Sequence, residues 1–223
     1  MNYFCLIVSL IIAIVDWIAV SMNWRKVEYF AKPAVMIFLL IWFGQVTGFK
    51  GYPIWFALGL AFSLAGDVFL MLPKEQFIAG LVSFLLGHLA YIVGFNSSLP
   101  RINLPLIILT LLVAGTAVQI YRRIAAGLTS GGKGSYKLPV LIYTIVISAM
   151  VLSALLTLVR QEWQPLHALI VAAGALLFFL SDTLLAWNKF VAPLANGRLK
   201  VIIAYHLGQL LIALGASAQF TSL

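Results

Sequence analysis

The sequence has little charge, and it lacks the motifs of common soluble enzymes. Only 9% of its 223 residues are Asp, Glu, Lys or Arg, against about 25% in a soluble domain. Strand-type alternation is absent, so a β-barrel is not expected. The single cysteine, Cys5, cannot form an internal disulfide. No GxSxG, Ser–His–Asp or Walker pattern occurs. These absences exclude an ordinary soluble fold, a disulfide scaffold and the familiar serine-hydrolase and P-loop sites.

Long apolar runs are present instead. Hydrophobic residues make up 63% of the chain, and the mean hydropathy is +1.08. A spanning helix needs about 20 apolar residues, so the sequence predicts an all-α, polytopic membrane bundle of about eight transmembrane helices in a single domain, 1–223. The N-terminal run lacks a basic n-region and a small-residue cleavage site, which indicates a retained helix. The predicted helices are 3–22, 33–46, 54–72, 76–95, 104–121, 137–159, 165–187 and 200–219.

Loop charges predict the orientation. The odd-numbered loops contain eleven Lys and Arg residues and the even-numbered loops contain three. The positive-inside rule therefore places the odd loops in the cytoplasm and both termini outside it. The net charge of +8 fits basic loops that face anionic lipid, so no nucleic-acid partner is expected. The expected location is a bacterial inner (cytoplasmic) membrane.

Besides Asp16 in the first helix, two of the six acidic residues lie inside apolar runs. Asp67 belongs to GDVFLML (66–72) and Asp182 to SDTLLAW (181–187). Insertion of such a residue costs about 2.5–3.5 kcal/mol, so it persists mainly where it faces a bundle interior and has a function. Asp67 precedes Pro73 by six residues, about 9 Å above the cytoplasmic end of its helix. Asp182 precedes Asn188 by the same number, so the two carboxyl groups are predicted to share one depth.

Other polar residues fall at or near this depth and complete a predicted site in the inner leaflet. Tyr143 and His206 each follow a basic residue at the start of a helix by six positions. His88 is placed deeper, near the middle of its helix, where it is either a site residue or a structural interhelical contact. Asp16 in the first helix has no evident role. Besides the two aspartates, the candidate residues are Lys32, His88, Tyr143, Asn188, Tyr205, His206 and Gln209.

A weak internal repeat relates the two aspartates. Aligning Asp67 with Asp182 also pairs Gly59 with Gly174 and Lys74 with Lys189. The sequence therefore predicts two parallel four-helix halves, 1–121 and 122–223. Sites in membrane proteins often lie at such repeat interfaces.

Several alternatives remain for the site. The aspartates are either functional or structural partners of Lys32 or a tyrosine. His88, His206, Asp67 and Asp182 include zinc-ligand types, but no HxxxH spacing supports a metal site, and no cofactor is expected. A proton-coupled small transporter or a lipid-binding membrane protein is the non-enzymatic alternative.

Several segments together resemble the YhhN-like lysoplasmalogenase family. They are Lys32-Pro33, FSLAGDVFLML (62–72), GLVSFLLGHLAY (80–91), Tyr143, GALLFFLSDTLLAWNKF (174–190) and YHLGQLLI (205–212). At His206 the family more often has a tyrosine. The resemblance implies an eight-helix hydrolase that cleaves the vinyl ether bond of lysoplasmalogens to a fatty aldehyde and glycerophosphocholine or glycerophosphoethanolamine. A lysophospholipid substrate and membrane lipid are the implied partners, with the oligomeric state and another lipid substrate left open.

Two carboxyl groups suit this chemistry. Vinyl ethers hydrolyse by proton transfer to the β-carbon, which forms an oxocarbenium ion that water then attacks. One carboxyl group can supply the proton while the other stays ionised and stabilises the cation. Asp67 and Asp182 are the expected pair, with the acid and the base unassigned. Lys32 is expected to hold the substrate phosphate, unless it pairs with an aspartate, which would then be unfit as the acid.

Overall fold

The computed structural model describes residues 3–72, 76–98 and 102–221. Within them the chain forms eight long helices and two short 3-10 turns, and no strand. All eight helices are long and apolar enough to cross a membrane, which confirms the predicted all-α polytopic bundle. The helices are α1 (Phe4–Ser21), α2 (Arg25–Thr47), α3 (Pro53–Met71), α4 (Phe77–Phe95), α5 (Leu104–Ser130), α6 (Lys137–Leu156), α7 (Pro165–Phe190) and α8 (Gly197–Thr221).

Helix α2 begins at Arg25, so the predicted start at Pro33 is wrong. Pro33 lies inside the helix, where its missing N–H leaves the carbonyl of Tyr29 without the usual intrahelical donor. A prolyl ring fits a first turn well, but membrane helices also tolerate it internally. The earlier start brings Glu28 and Lys32 onto a helix, where they face the bundle.

Helix α5 continues to Ser130, well beyond the predicted end at 121. Gly127 is therefore a helical residue, although its glycine-rich surroundings suggested a loop. A Cβ at Gly127 would lie only 2.1 Å from the carbonyl oxygen of Phe190. The glycine thus permits close contact between α5 and the end of α7, and only residues 131–136 connect α5 to α6.

Close helix pairs build the bundle. Helix α3 packs against α4, and α7 against α8. At Gly174 a Cβ would come within 2.7 Å of the backbone nitrogen of Ile212, so glycine allows the backbones of α7 and α8 to approach, as small residues do in membrane helices. Helix α8 is the most enclosed, with 67% of its spanning window buried, whereas α5 has 6%. Helix α8 therefore forms the centre of the bundle and α5 its edge.

Some sequence predictions fall outside the described residues. Pro73, Lys74, Pro100 and Arg101 belong to this group. The two-half organisation, 1–121 and 122–223, and the orientation of the termini stay predictions.

Candidate functional site

Asp67 on α3 is buried inside the bundle and forms an ion pair with a lysine side chain. Its relative exposure is 1%. The Lys32 ammonium from α2 lies 2.9 Å from Oδ1 of Asp67, and the Tyr205 hydroxyl from α8 donates a 2.7 Å hydrogen bond to Oδ2. Three helices thus supply one charge-neutral cluster. Both oxygens of the Asp67 carboxyl group are therefore engaged, one by a potential counter-charge and one by a hydroxyl group.

Asp182 on α7 has a different set of partners. The Tyr143 hydroxyl from α6 donates a short hydrogen bond to Oδ2, and Nε2 of His88 lies 3.4 Å from the same oxygen. His88 Nε2 also lies 2.9 Å from the Tyr143 oxygen. Since tyrosine has one hydroxyl proton and donates it to Asp182, His88 supplies the proton in the bond to Tyr143. The result is a directed chain from His88 through Tyr143 to Asp182.

The two aspartates therefore have unequal surroundings. Asp67 has a lysine partner, whereas within the described residues no lysine or arginine pairs with Asp182. The Asp182 side chain is also more open, at 14% exposure. The two clusters are joined through Phe178, whose ring centroid lies 4.7 Å from that of His88 and 5.4 Å from that of Tyr205. Neighbouring carboxyl groups with different environments are the arrangement in which acid and base roles separate.

An apolar cavity adjoins Asp182. It has a volume of about 60 Å³, is partly open, and lies between α3, α4, α5, α6 and α7. Asp182 and Tyr143 are in its wall, and most other lining residues are aliphatic or aromatic, including Leu70, Leu81, Phe84, Ile120, Ile147 and Phe179. Such a cavity, with few polar groups in an apolar lining, fits a hydrocarbon ligand with one polar reacting centre.

A second, larger cavity is basic. Its volume is about 450 Å³, and its wall carries Arg25, Lys32, Lys189, Arg198 and a single acid, Glu28. We call it the vestibule. Nη2 of Arg198 donates to both carboxylate oxygens of Glu28, at 2.5 and 2.6 Å. This concentration of cations fits an anionic group such as phosphate.

The apolar cavity and the vestibule meet at shared residues. Leu70, Phe77 and Leu185 line both. Leu185 follows Asp182 by one helical turn, and Lys189 follows Leu185 by another. Lys189 Nζ lies 4.8 Å over the Phe77 ring. A molecule with an anionic head and an apolar tail would therefore pass Asp182 where the two spaces join.

The remaining predicted residues occupy three other positions. His206 is fully buried and accepts a 3.1 Å hydrogen bond at Nδ1 from the Trp17 indole. Gln209 accepts a 2.5 Å bond at Oε1 from the Tyr91 hydroxyl. Asn188 lines the vestibule, but its Oδ1 accepts from the backbone N–H of Leu194 at 2.9 Å. The structure brings Lys32 and Tyr205 to Asp67, and His88 and Tyr143 to Asp182. None of His206, Gln209 and Asn188 bonds to either carboxyl group.

Sequence reasoning missed two residues of the vestibule, and it left one buried aspartate outside the two carboxyl clusters unexplained. Arg198 and Glu28 appeared only as loop charges, and nothing local indicates that they pair across α2 and α8. Asp16 is fully buried, yet neither of its carboxyl oxygens has a hydrogen-bond partner among the described residues. The position of Asp16 in an apolar run indicates that the side chain is buried, but it does not indicate a hydrogen-bonding partner.

The side chains do not fit a metal centre. Among residues 3–72, 76–98 and 102–221, no group of three or more His, Cys, Asp and Glu side chains lies close enough to hold an ion. His88 belongs to the Asp182 cluster, while His206 pairs with Trp17. The two histidines therefore do not converge as zinc ligands must.

Comparison with known proteins identifies relatives over most of the chain. Human lysoplasmalogenase TMEM86B is 28% identical over 215 residues, which cover 96% of this chain and 81% of the relative. Human lysoplasmalogenase TMEM86A is 31% identical over 162 residues, covering 71% and 63%. A lysoplasmalogenase of Mycobacterium bovis is 30% identical over 172 residues, covering 72% and 59%. No solved structure matches the chain significantly.

The family model described as the YhhN family matches residues 27–216. This range contains both aspartates, all of their hydrogen-bonding partners and the charged residues of the vestibule except Arg25. Together with the eight spanning helices, the match shows that this integral membrane protein belongs to the YhhN family.

Proposed function

We propose that the protein hydrolyses the vinyl ether bond of lysoplasmalogens, releasing a fatty aldehyde and glycerophosphocholine or glycerophosphoethanolamine. The names of its relatives support the substrate class. The observation that carries the proposal is the contrast between a lysine-paired aspartate and an aspartate with only tyrosine and histidine partners, where an apolar cavity joins a basic one.

The two cavities suggest how the substrate binds. The alkenyl chain lies in the apolar cavity, and the phosphate lies in the vestibule near Lys189 and Arg198. Along α7, Leu185 is about 4.5 Å and Lys189 about 10 Å from Asp182 at 1.5 Å per residue. The vinyl ether bond, between head and tail, would then lie beside Asp182. Lys32 pairs with Asp67 and Arg198 with Glu28, so we assign the phosphate to the basic wall of the vestibule as a whole and no longer to Lys32 alone.

Asp182 is proposed as the acid. Its Oδ2 is held by Tyr143 and His88, which leaves Oδ1 to carry a proton toward the cavity. That proton forms a C–H bond at the β-carbon, the C=C bond becomes a single bond, and the α-carbon becomes an oxocarbenium ion. Water adds to the α-carbon and returns its proton to Asp182. The hemiacetal then collapses: its C–O bond breaks, the glycerol oxygen takes a proton, and the hydroxyl proton leaves as the aldehyde forms. One water is consumed.

Asp67 is proposed as the charge-stabilising group. Lys32 keeps it ionised, and Tyr205 holds its orientation. Asp67 is not among the described lining residues of either cavity, so we propose that the Lys32–Asp67 pair acts across the intervening side chains as a preorganised dipole whose carboxylate end stabilises the developing cation. Pairing with Lys32 makes Asp67 a poor proton donor, so the structure favours the assignment of Asp182 as the acid.

The test uses the purified protein in phosphatidylcholine vesicles. We expect stoichiometric release of fatty aldehyde and glycerophosphocholine from an alkenyl lysophospholipid, and no reaction with the saturated alkyl ether analogue, which has no double bond to protonate. Equal cleavage of the acyl ester analogue would contradict the proposal and indicate a different lipid hydrolase. Movement of the lipid across the vesicle membrane without aldehyde would instead support a transporter.

A further inference from the structure

A third space lies between α5 and α6, on the side of the bundle away from the vestibule. It has a volume of about 290 Å³ and a lining dominated by aliphatic and small side chains. We call it the α5–α6 groove. It is not part of the apolar cavity, but the side chain of Thr144 belongs to both.

The groove and the apolar cavity lie on adjacent faces of the same two helices, α5 and α6. On α6, Ile147 lines the cavity and the next residue, Ser148, lines the groove. On α5, Ile120 lines the cavity and the next residue, Tyr121, lines the groove. The Thr144 hydroxyl donates to the carbonyl oxygen of Val140 at 2.8 Å. The hydroxyl is thus satisfied within its own helix, and Thr144 imposes no polar barrier between the two spaces.

The groove extends away from the aspartates. Its α6 lining runs from Leu141, beside Tyr143, to Leu152, a distance of about 16 Å along the helix. At the Leu141 end of the groove, the Tyr121 hydroxyl donates a 3.3 Å hydrogen bond to the carbonyl oxygen of Lys137. This bond connects α5 to the start of α6. Helix α5 is also the least enclosed helix, with 6% of its window buried. The groove therefore follows α5 and α6 away from the end of α6 that carries Tyr143.

We propose that the α5–α6 groove binds the distal part of the substrate's hydrocarbon chain, with Thr144 as the threshold, and so sets the preference for long chains. The inference rests on the proposed function. Its argument is continuity: a chain that begins at Asp182 and fills the apolar cavity reaches Thr144, and beyond Thr144 the apolar surface continues into the groove. Short hydrocarbon chains end before they reach Thr144, so their binding does not depend on the α5–α6 groove.

The experiment fills the groove with two substitutions at exposed lining positions, Ala114→Trp on α5 and Ala149→Trp on α6. Leu111→Trp is the matched control, because Leu111 is an exposed α5 residue outside the groove. For each protein, kcat/KM is measured with decenyl and octadecenyl lysoplasmalogen. We expect the octadecenyl-to-decenyl ratio to fall several-fold in both groove variants, because the added indole occupies the space assigned to the distal chain, and to stay unchanged in the control.

The outcomes separate the two proposals. An unchanged ratio with normal decenyl activity overturns the groove assignment and leaves the proposed function intact. Equal loss with both chains shows a structural role and also overturns it. A changed oligomeric mass with an unchanged ratio identifies the groove as an interface between copies and overturns it as well. If the wild-type protein releases no aldehyde from either chain, the proposed function fails and the groove assignment fails with it.

Discussion

The Lys32 ammonium lies 2.9 Å from Oδ1 of Asp67. This pair connects α2 with α3 at the edge of the vestibule, and it gives Asp67 a fixed charge that Asp182 does not share. Much of the proposed mechanism follows from this difference, because the partner of each carboxyl group determines whether it can donate a proton.

Lys32→Met is expected to destabilise the protein by about 3–5 kcal/mol, because it leaves Asp67 as an uncompensated buried charge. Unfolding in mixed micelles measures the change. The double variant with Asp67→Asn removes both charges, so its loss should be smaller than that of Lys32→Met alone. If the double variant loses as much as the sum of the single variants, the two side chains do not interact energetically.

Tyr143→Phe is expected to lower kcat by about 10–100-fold, with little change in KM. The lost hydroxyl donates to Asp182, and a hydrogen bond to a charged group contributes about 1.5–3 kcal/mol. Steady-state aldehyde release measures it. Tyr52→Phe is the matched control, since its hydroxyl bonds to the backbone carbonyl of Ser97 and the residue lines neither cavity nor the groove. Equal effects of the two substitutions would show that Tyr143 has no specific role.

Hydrolysis in D₂O is expected to place a single deuterium on the carbon next to the aldehyde group. The β-carbon of the vinyl ether becomes that carbon, and the proposed acid exchanges its proton with solvent. Mass spectrometry of the trapped aldehyde measures the label, and an unlabelled aldehyde incubated with the protein corrects for exchange. Aldehyde without deuterium would exclude protonation of the double bond.

Asp16→Asn is expected to leave the protein as stable as the wild type or more stable, whereas Asp67→Asn should destabilise it. The chemical change is the same, but Asp16 has no hydrogen-bond partner among the described residues, while Asp67 has a lysine and a tyrosine. Replacing an unpartnered buried carboxyl group with a neutral amide removes the desolvation cost of the ionised carboxylate. Thermal unfolding of both variants checks the signs. Strong destabilisation by Asp16→Asn would show that this carboxyl has a stabilising partner.

The sequence predicted the kind of fold because hydrocarbon-length apolar runs have few alternatives in a membrane. The helix ends were harder to predict. Pro33 was interpreted as a helix start and Gly127 as part of a loop, because both residues have these roles in soluble proteins. In this bundle Pro33 is internal to α2, and Gly127 permits contact with Phe190. Tertiary packing decided both positions.

Residue counting predicted which polar side chains lie at similar levels along their helices, but it did not predict which of them are hydrogen-bonding partners. Counting residues from helix ends placed Asp67, Asp182, Tyr143 and His206 at similar levels, and the first three do join the two carboxyl clusters. The sequence does not specify which helices are neighbours, so it did not distinguish Lys32 as a phosphate ligand from Lys32 as the partner of Asp67. It also did not predict that His206 pairs with Trp17.

The most direct test of the account is kcat for purified Asp182→Asn on an alkenyl lysophospholipid, compared with Asp16→Asn, which makes the same chemical change outside the two carboxyl clusters. If Asp182 delivers the proton, kcat should fall by about 10²–10⁴-fold while the variant still binds the substrate and unfolds cooperatively, and Asp16→Asn should keep most of its activity. A kcat for Asp182→Asn close to the wild-type value would contradict the assignment of Asp182 as the acid.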